Sequence, residues 1–406
     1  MRTLLLYTLL GAAIASGCAQ DFDAKRISDH IRVLAADDFQ GRGTGAAGEQ
    51  AAVRYLSNEF KKLKLVPQGD KGTYVQAFPF HAGVHGEGAA GTAHNVVGYI
   101  DNKAPYTVVI GAHLDHLGTT GQGSSLDANP DGKIHNGADD NSSGVAGVLE
   151  LARRYSTNGQ KEKHNFLFVC FSGEEMGLLG SKYIAEHAPL DLTTVSYMIN
   201  MDMIGRLDSA TRTVIVNGTG TSPVWEPLLK SLGTDDLKIR MDSSGTGPSD
   251  HTSFYLKDLP VLHFFTGSHN DYHKPSDDWE KINAKGEAQV LGLIARVIEQ
   301  VDAEPKLPFL KTRTKSQAGR ASFKVTLGIM PSYARDVDGL KVDGVSEGRP
   351  AFKAGILTGD IIVKIGGFEI HDIQNYMDAL GKFEKGQTVP VQVKRGVEVV
   401  DMEVTF

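Results

Sequence analysis

The stretch NFLFVCFSGEEMGLLGS, residues 165–181, starts as an apolar run and then sets Glu174 beside Glu175 between glycines. A short run rich in aromatic and branched residues, closed by glycine, predicts a strand buried on both faces. Two carboxylates at the end of such a strand repel each other and lose hydration, so something cationic must stand beside them. Outward from this stretch, similar runs recur: HNVVGYI (94–100), YTVVIGA (106–112), SYMINMD (196–202), TVIVNG (213–218) and LPVLHFF (259–265). Helical patterns lie at about 23–36 and 46–64 and in SSGVAGVLELARRYS (142–156), which Ser142 or Ser143 would cap. Buried strands alternating with helices predict an α/β fold, a largely parallel mixed sheet flanked by helices. The segment DFQGRGTGAAGE, between the first two helices, is too rich in glycine for regular structure.

The chain has 406 residues, more than one core usually organises. Its hydrophobic content of 41% and charged content of 22% are those of a globular protein, and a net charge of -7 without a basic stripe excludes a nucleic-acid partner. The opening MRTLLLYTLLGAAIASGCAQ reads as a secretory signal over residues 1–19, too short to span a bilayer. ASGC resembles a bacterial lipoprotein signal, although Ala15 stands where a larger aliphatic residue is usual. Two outcomes stay open: cleavage before Cys18, with a lipid on it as a membrane tether, or ordinary cleavage after Ala19. Either way the expectation is export, as a periplasmic or outer-membrane lipoprotein or a secreted protein. Cys170 would then be the one body cysteine, expected as a buried hydrophobe, which rules out an intramolecular disulfide.

Composition shifts near residue 304. EPKLPFLKTRTKSQAGRAS is rich in Pro, Lys and Thr and reads as a linker over 305–321, between a domain at 20–304 and a small β-rich one at 322–406. The latter carries the runs FKVTLGI, GLKVDGV, DIIVKIG and TVPVQVKR around one helical pattern, IQNYMDALGKF.

The strands of the first domain end in metal-ligand residue types. His113 and Asp115 follow VVIGA, Asp139 and Asp140 precede a helix, Glu174 and Glu175 close the opening stretch, Asp202 ends SYMINMD, and His273 lies in HNDYHKPSDD. Ligands of open α/β sheets bind outside the carboxyl ends of the strands, where these residues would converge. Singly, each has an ordinary account in solvation, capping or helix-dipole pairing. Together they need one explanation for four successive strand ends. Two divalent ions supply it by offsetting the repulsion, and a donor set of imidazole and carboxylate without thiolate suits zinc, with manganese and cobalt also acceptable.

The motifs AHLDH, GADDNSSG, FSGEEMGLLGS, NMDMIG and YHKPSDD, with the early DDFQGRGTGAAGE, resemble those of the secreted dizinc aminopeptidases of metallopeptidase family M28, over about residues 30–300. The resemblance implies a sheet of the zinc-exopeptidase type and two Zn2+ per chain. It implies that His113 and Asp202 bind one zinc, that Glu175 and His273 bind the other, and that Asp139 bridges them. It also implies a cis peptide between Asp139 and Asp140, and Asp140 receives no ligand role. Glu174 would stay unbound as general base, and Asp115 would orient His113, as metal-bound histidines require. The implied reaction is hydrolysis at the N-terminus of peptides with a free amine, the zincs activating a shared water and Glu174 carrying its proton to the leaving amine. Asp250 and His251, in GTGPSDHTSFYLKDLPVLHFF, are expected beside the site, touching substrate, supporting the ligands or holding their own loop. His116, His135 and His269 match no ligand position and are expected at the surface or behind the ligands.

Residues 322–406 resemble a PDZ domain of the bacterial peptidase-associated kind, on TLGIMP, GLKVDGVSEGRPAFKAGILTGDIIVKIGG and a helix around 372–383. The resemblance implies that Leu327, Gly328 and Ile329 form the loop whose amides receive a peptide carboxylate, with a peptide C-terminus or extended peptide adding as a strand. Packing on the first domain, or a groove filled from within, is the alternative. For the whole chain the alternatives to an aminopeptidase are a carboxypeptidase or a glutaminyl cyclase on the same fold, or a non-catalytic protein that binds peptides through the PDZ domain.

Overall fold

A computed structural model describes residues 22–81, 90–121, 124–127, 129–312, 325–331, 338–345, 348–371 and 373–406. The signal, Cys18 and most of the expected linker lie outside them.

The first helices, α1 (Ala24–Leu34) and α2 (Ala47–Lys62), fall inside the expected ranges. Asp23 caps α1 by accepting from the amides of Lys25 and Arg26, and Ile27, Ile31 and Leu34 form its buried stripe. There follow β1 (Val66–Pro67), β2 (Val75–His81), β3 (Ala90–Ile100), β4 (Thr107–His113), α3 (Gly144–Thr157), β5 (Asn165–Phe171), α4 (Leu179–Glu186), β6 (Val195–Met201), β7 (Thr213–Asn217), α5 (Trp225–Leu232), β8 (Lys238–Met241), α6 (His251–Tyr255), β9 (Val261–Phe265) and α7 (Ala284–Val301).

These strands form one mixed sheet in the order β1-β3-β5-β4-β6-β9-β7-β8, with β2 paired to the outer part of β3. Its centre is parallel: β5 beside β4, β4 beside β6, β6 beside β9. On either side β3 and β7 run antiparallel to their neighbours β5 and β9. Every residue of β4, β5 and β6 is buried, the pattern of parallel strands covered on both faces. Alternate residues serve opposite cores: Phe166, Phe168 and Cys170 join the core beneath α1, α3 and α7, while Leu167, Val169 and Phe171 join the one beneath α4 and α6. Cys170 is thus wholly buried, and burial pushes its thiol far above the usual range.

The cap of α3 differs from expectation. Asn141 Oδ1 accepts from the amide of Gly144 at 2.9 Å, while Ser142 and Ser143 direct their hydroxyls to the carbonyls of Gly137 and Asp139. The serines are occupied in bracing the preceding turn, so the asparagine satisfies the helix end.

The C-terminal unit has its own sheet: β10 (Ile329–Pro331), β11 (Leu340–Val345), β12 (Ile361–Ile365), β13 (Phe368–Glu369), β14 (Thr388–Arg395) and β15 (Glu398–Thr405), ordered β10-β11-β12-β14-β15 with β13 on β12. Helices α8 (Pro350–Ala354) and α9 (Ile373–Leu380) accompany it, and a separate apolar core runs from Val325 to Val404.

Candidate metal centre

His113 is the last residue of β4, Asp202 follows β6 directly, Glu174 and Glu175 lie just beyond β5, and His273 is in the loop after β9. The parallel strands therefore bring residues spread over 160 positions of sequence, from 113 to 273, to one end of the sheet. Their spacing is informative. His113 Nε2 lies 3.3 Å from Asp140 Oδ1 and 3.3 Å from Asp202 Oδ1. His273 Nε2 lies 3.2 Å from Asp140 Oδ2 and 3.1 Å from Glu175 Oε2. Charge-assisted hydrogen bonds are shorter, about 2.7–2.9 Å. Donors around one tetrahedral zinc with bonds of about 2.0–2.1 Å stand roughly 3.3 Å apart. The donor set and its separations therefore fit a metal ion in each group, one oxygen of Asp140 facing each.

The acid between the groups is Asp140, which corrects the expectation for Asp139. Asp139 is turned away: its Oδ1 accepts from Gly205 N at 2.7 Å and Ser143 Oγ at 3.0 Å, and its Oδ2 lies 3.2 Å from His269 Nε2. The cis peptide joins Asp140 to Asn141, one bond later than expected. Gly205 is required here, since a Cβ at that position would meet Asp139 Oδ1 at 2.9 Å.

Both histidines are oriented through Nδ1 by a backbone carbonyl: His113 by Asp115 at 3.1 Å, His273 by Ser124 at 2.9 Å. For His113 the orienting atom is the Asp115 carbonyl, the carboxylate being farther off at 3.8 Å. That carboxylate instead accepts from Thr44 Oγ1 and from the amide of Glu174, linking the two strand ends. Burial pushes Asp115 up to about 6.

Charge is balanced within the cluster. Burial disfavours protons on His113 and His273, but Asp202, Glu174 and Asp140 around the first, and Glu175 and Asp140 around the second, hold both well above the usual imidazole range. Burial raises Glu175, yet His273 and His116 bring it down to about 2. Protons on imidazoles here do what bound cations would do. Glu174 differs from its neighbour. Burial raises its proton affinity well above the carboxylate range, Glu175, Asp250 and Asp202 raise it further, and His113 only partly opposes them.

Other expected residues fall elsewhere. Asp250 and His251 are wholly buried and absent from the cavity wall beside the cluster, so they lie behind the site rather than against a substrate. His251 stacks on His263 with centroids 4.6 Å apart, and it is His263 that reaches the cavity. Burial pushes Asp250 up to about 7. Among the histidines outside the ligand motifs, His116 and His135 are fully buried, not at the surface.

Two residues escaped the sequence reading. Arg42, within GRG, is fully buried and donates to the carbonyls of Leu34, Leu114, Asn136 and Gly137, clamping the β4 end to the loop that carries Asp140. Burial brings it down to about 10. Asp277 Oδ2 accepts from the amides of both Asp139 and Asp140, fixing their turn. The signals were a lone arginine between glycines and the first acid of KPSDD.

Residues 95–298 match peptidase family M28. The chain belongs to this family. Residues 325–406 match the PDZ domain. As an M28 member the chain is similar to aminopeptidase YwaD of Bacillus subtilis, 29% identical over 241 residues that cover 56% of this chain and 49% of the relative. It spans about half the length of the curated relatives it matches. In fold it is similar to the LapA aminopeptidase of Legionella pneumophila (TM-score 0.53, 23% identity, 70% of this chain and 72% of that one). It is also similar to glutaminyl cyclase of Porphyromonas gingivalis (TM-score 0.55, 19% identity, 69% and 100%). Family membership and the donor set together indicate zinc.

In the C-terminal unit Leu327 is wholly buried, and Gly328, with φ of 72°, donates its amide to Thr326 Oγ1 at 3.1 Å. The strand β10 follows this loop, and among the described residues it pairs with β11 alone.

Proposed function

We propose that this chain is a dizinc aminopeptidase that hydrolyses N-terminal residues from peptides with a free α-amine. The observation that carries the reading is Glu174. It lines the same cavity as His113, Asp140, Glu175, Asp202 and His273, yet its carboxylate has no hydrogen bond or ion pair among the described residues. His113, Asp140 and Asp202 would hold one zinc, and Asp140, Glu175 and His273 the other. When bound, the ions would polarise the scissile carbonyl and acidify the attacking water. Glu174 takes the water's proton on its carboxylate and releases it to the leaving amine nitrogen. Asp115 fixes the backbone of Glu174, and Arg42 and Asp277 hold the loop of Asp140 in place. The side chain of the N-terminal residue enters the cavity beside this cluster. Met203, Pro248, Phe265 and Tyr272 form its apolar wall and limit water, while Asn217 and His263 add polar groups.

A peptide C-terminus, held at Leu327–Ile329 and along β10, would raise the effective concentration of a long substrate. Export, with a tether through Cys18 or free release, completes the proposal. No described helix is long and apolar enough to cross a membrane.

The cyclase neighbour makes N-terminal glutamine the substrate of a second reading. One experiment separates them: mass spectrometry over time on free, N-acetylated and C-amidated peptides, incubated with zinc-loaded protein lacking residues 1–19. Stepwise loss from free N-termini, with acetylated peptides spared, is the expected result. Loss from C-termini would replace it with a carboxypeptidase, loss of ammonia from N-terminal glutamine with a cyclase, and intact peptides with a binding protein.

A further inference from the structure

The two oxygens of Glu175 face two imidazoles at two different kinds of distance. Oε2 stands 3.1 Å from His273 Nε2, the spacing of two ligands on one ion. Oε1 stands 2.7 Å from His116 Nδ1, a hydrogen bond too short for co-ligands. Because the acceptor is a carboxylate, Nδ1 is the donor. His116 is locked in this pose. Its amide donates to the carbonyl of Arg42, and its ring lies against Gly137, where a Cβ would meet Cδ2 at 2.5 Å. The ring also meets His273 edge-on, with centroids 5.7 Å apart, and is wholly buried. Among the described residues its Nε2 has no hydrogen-bond partner, and its Nδ1, besides the short bond to Glu175, faces Asp140 Oδ2 at 3.7 Å.

We propose that His116 is a positioning residue for the second metal position: its Nδ1–H holds Oε1, so that Glu175 presents Oε2 alone beside Asp140 Oδ2 and His273 Nε2. This rests on the ligand assignment proposed above. A carboxylate with both oxygens free can rotate or chelate, whereas one held at a single oxygen stays monodentate and leaves room at the ion for a reactant.

The test is zinc titration of the metal-free chain against a chromophoric chelator, with the visible spectrum of the cobalt-loaded protein as a second readout. Wild type should take up two ions. His116→Ala should weaken one of the two by about 10–100-fold, the usual cost of removing a ligand's orienting partner, and should alter the cobalt spectrum. His116→Asn, whose amide nitrogen overlies Nδ1, should restore both readouts. Should the alanine variant fold poorly, the asparagine variant against His116→Leu carries the same comparison. Equal affinity for both ions in wild type and His116→Ala would overturn the proposal. So would a loss in His116→Asn as complete as in His273→Ala, which would make His116 itself a ligand. A wild-type chain that takes up one ion, or a His273→Ala variant that keeps two, would overturn the underlying ligand assignment and this inference with it.

Discussion

In the C-terminal unit the buried charged side chain among the described residues is Asp360, and it is fully answered. Arg395 meets it with two hydrogen bonds of 2.8 and 2.7 Å, and the amide of Leu357 adds a third. At the strand ends of the larger unit Asp115, Asp140, Glu174, Glu175 and Asp202 crowd together, and the buried cation beside them, Arg42, spends its donors on carbonyls. Asp360 is buried with its own permanent counter-charge; Asp140, Glu175 and Asp202 face histidines, whose charge a metal can replace. Buried charge with a built-in partner stabilises a fold. Buried charge without one is costly and is kept where a ligand supplies the balance.

The largest expected effect tests that contrast directly. Asp140→Asn should abolish binding at both positions and bring peptide turnover to background, while Asp139→Asn should keep measurable amounts of each. Metal analysis beside a peptidase assay reads both, and equal losses would return Asp139 to the ligand set. Glu174→Gln comes next: both ions retained, turnover down by about 10²–10⁴. Loss of metal in this variant would make Glu174 a ligand and erase its difference from Glu175.

Proton competition should appear as a graded effect. His113 and His273 hold protons well above the usual imidazole range in the metal-free chain, so that state binds more protons than the loaded one. Lowering pH therefore favours the metal-free state, and zinc affinity should fall steadily as pH drops through and below neutrality. Calorimetry in buffers of different ionisation enthalpy should register protons released on binding; none released would mean that the ions displace no proton from these imidazoles. A smaller effect is expected at Gly328. A Cβ there would lie 2.3 Å from Arg349 Cβ, at a φ of 72°, so Gly328→Val should raise KM several-fold for long peptides and leave dipeptides unchanged. Asp360→Asn should have the smallest effect on catalysis, lowering the melting temperature of the C-terminal unit by several degrees without altering dipeptide turnover. A change in metal content there would break the separation between the two kinds of buried acid.

The strands were legible because full burial on both faces leaves unbroken apolar runs, and NFLFVCF became β5 with its alternate residues serving two cores. His113, Glu175 and Asp202 were legible as a group because each follows such a run, and His273 joined them through the motif YHKPSDD. The choice between Asp139 and Asp140 was not. Neighbouring side chains of one type carry the same sequence signal, and the backbone turn at 138–143, braced by Ser143, Gly205 and Asp277, decides which one faces the cluster. His116 was hidden for a related reason, since its role depends on one oxygen of a residue 59 positions away.

By itself the sequence determined an α/β unit with acids and imidazoles at its strand ends and a β-rich unit after it, because hydrophobic periodicity and residue chemistry are written locally. The tertiary structure decided which oxygen of which acid faces which imidazole, because separations of 2.7 and 3.3 Å arise only where loops from four strand ends meet.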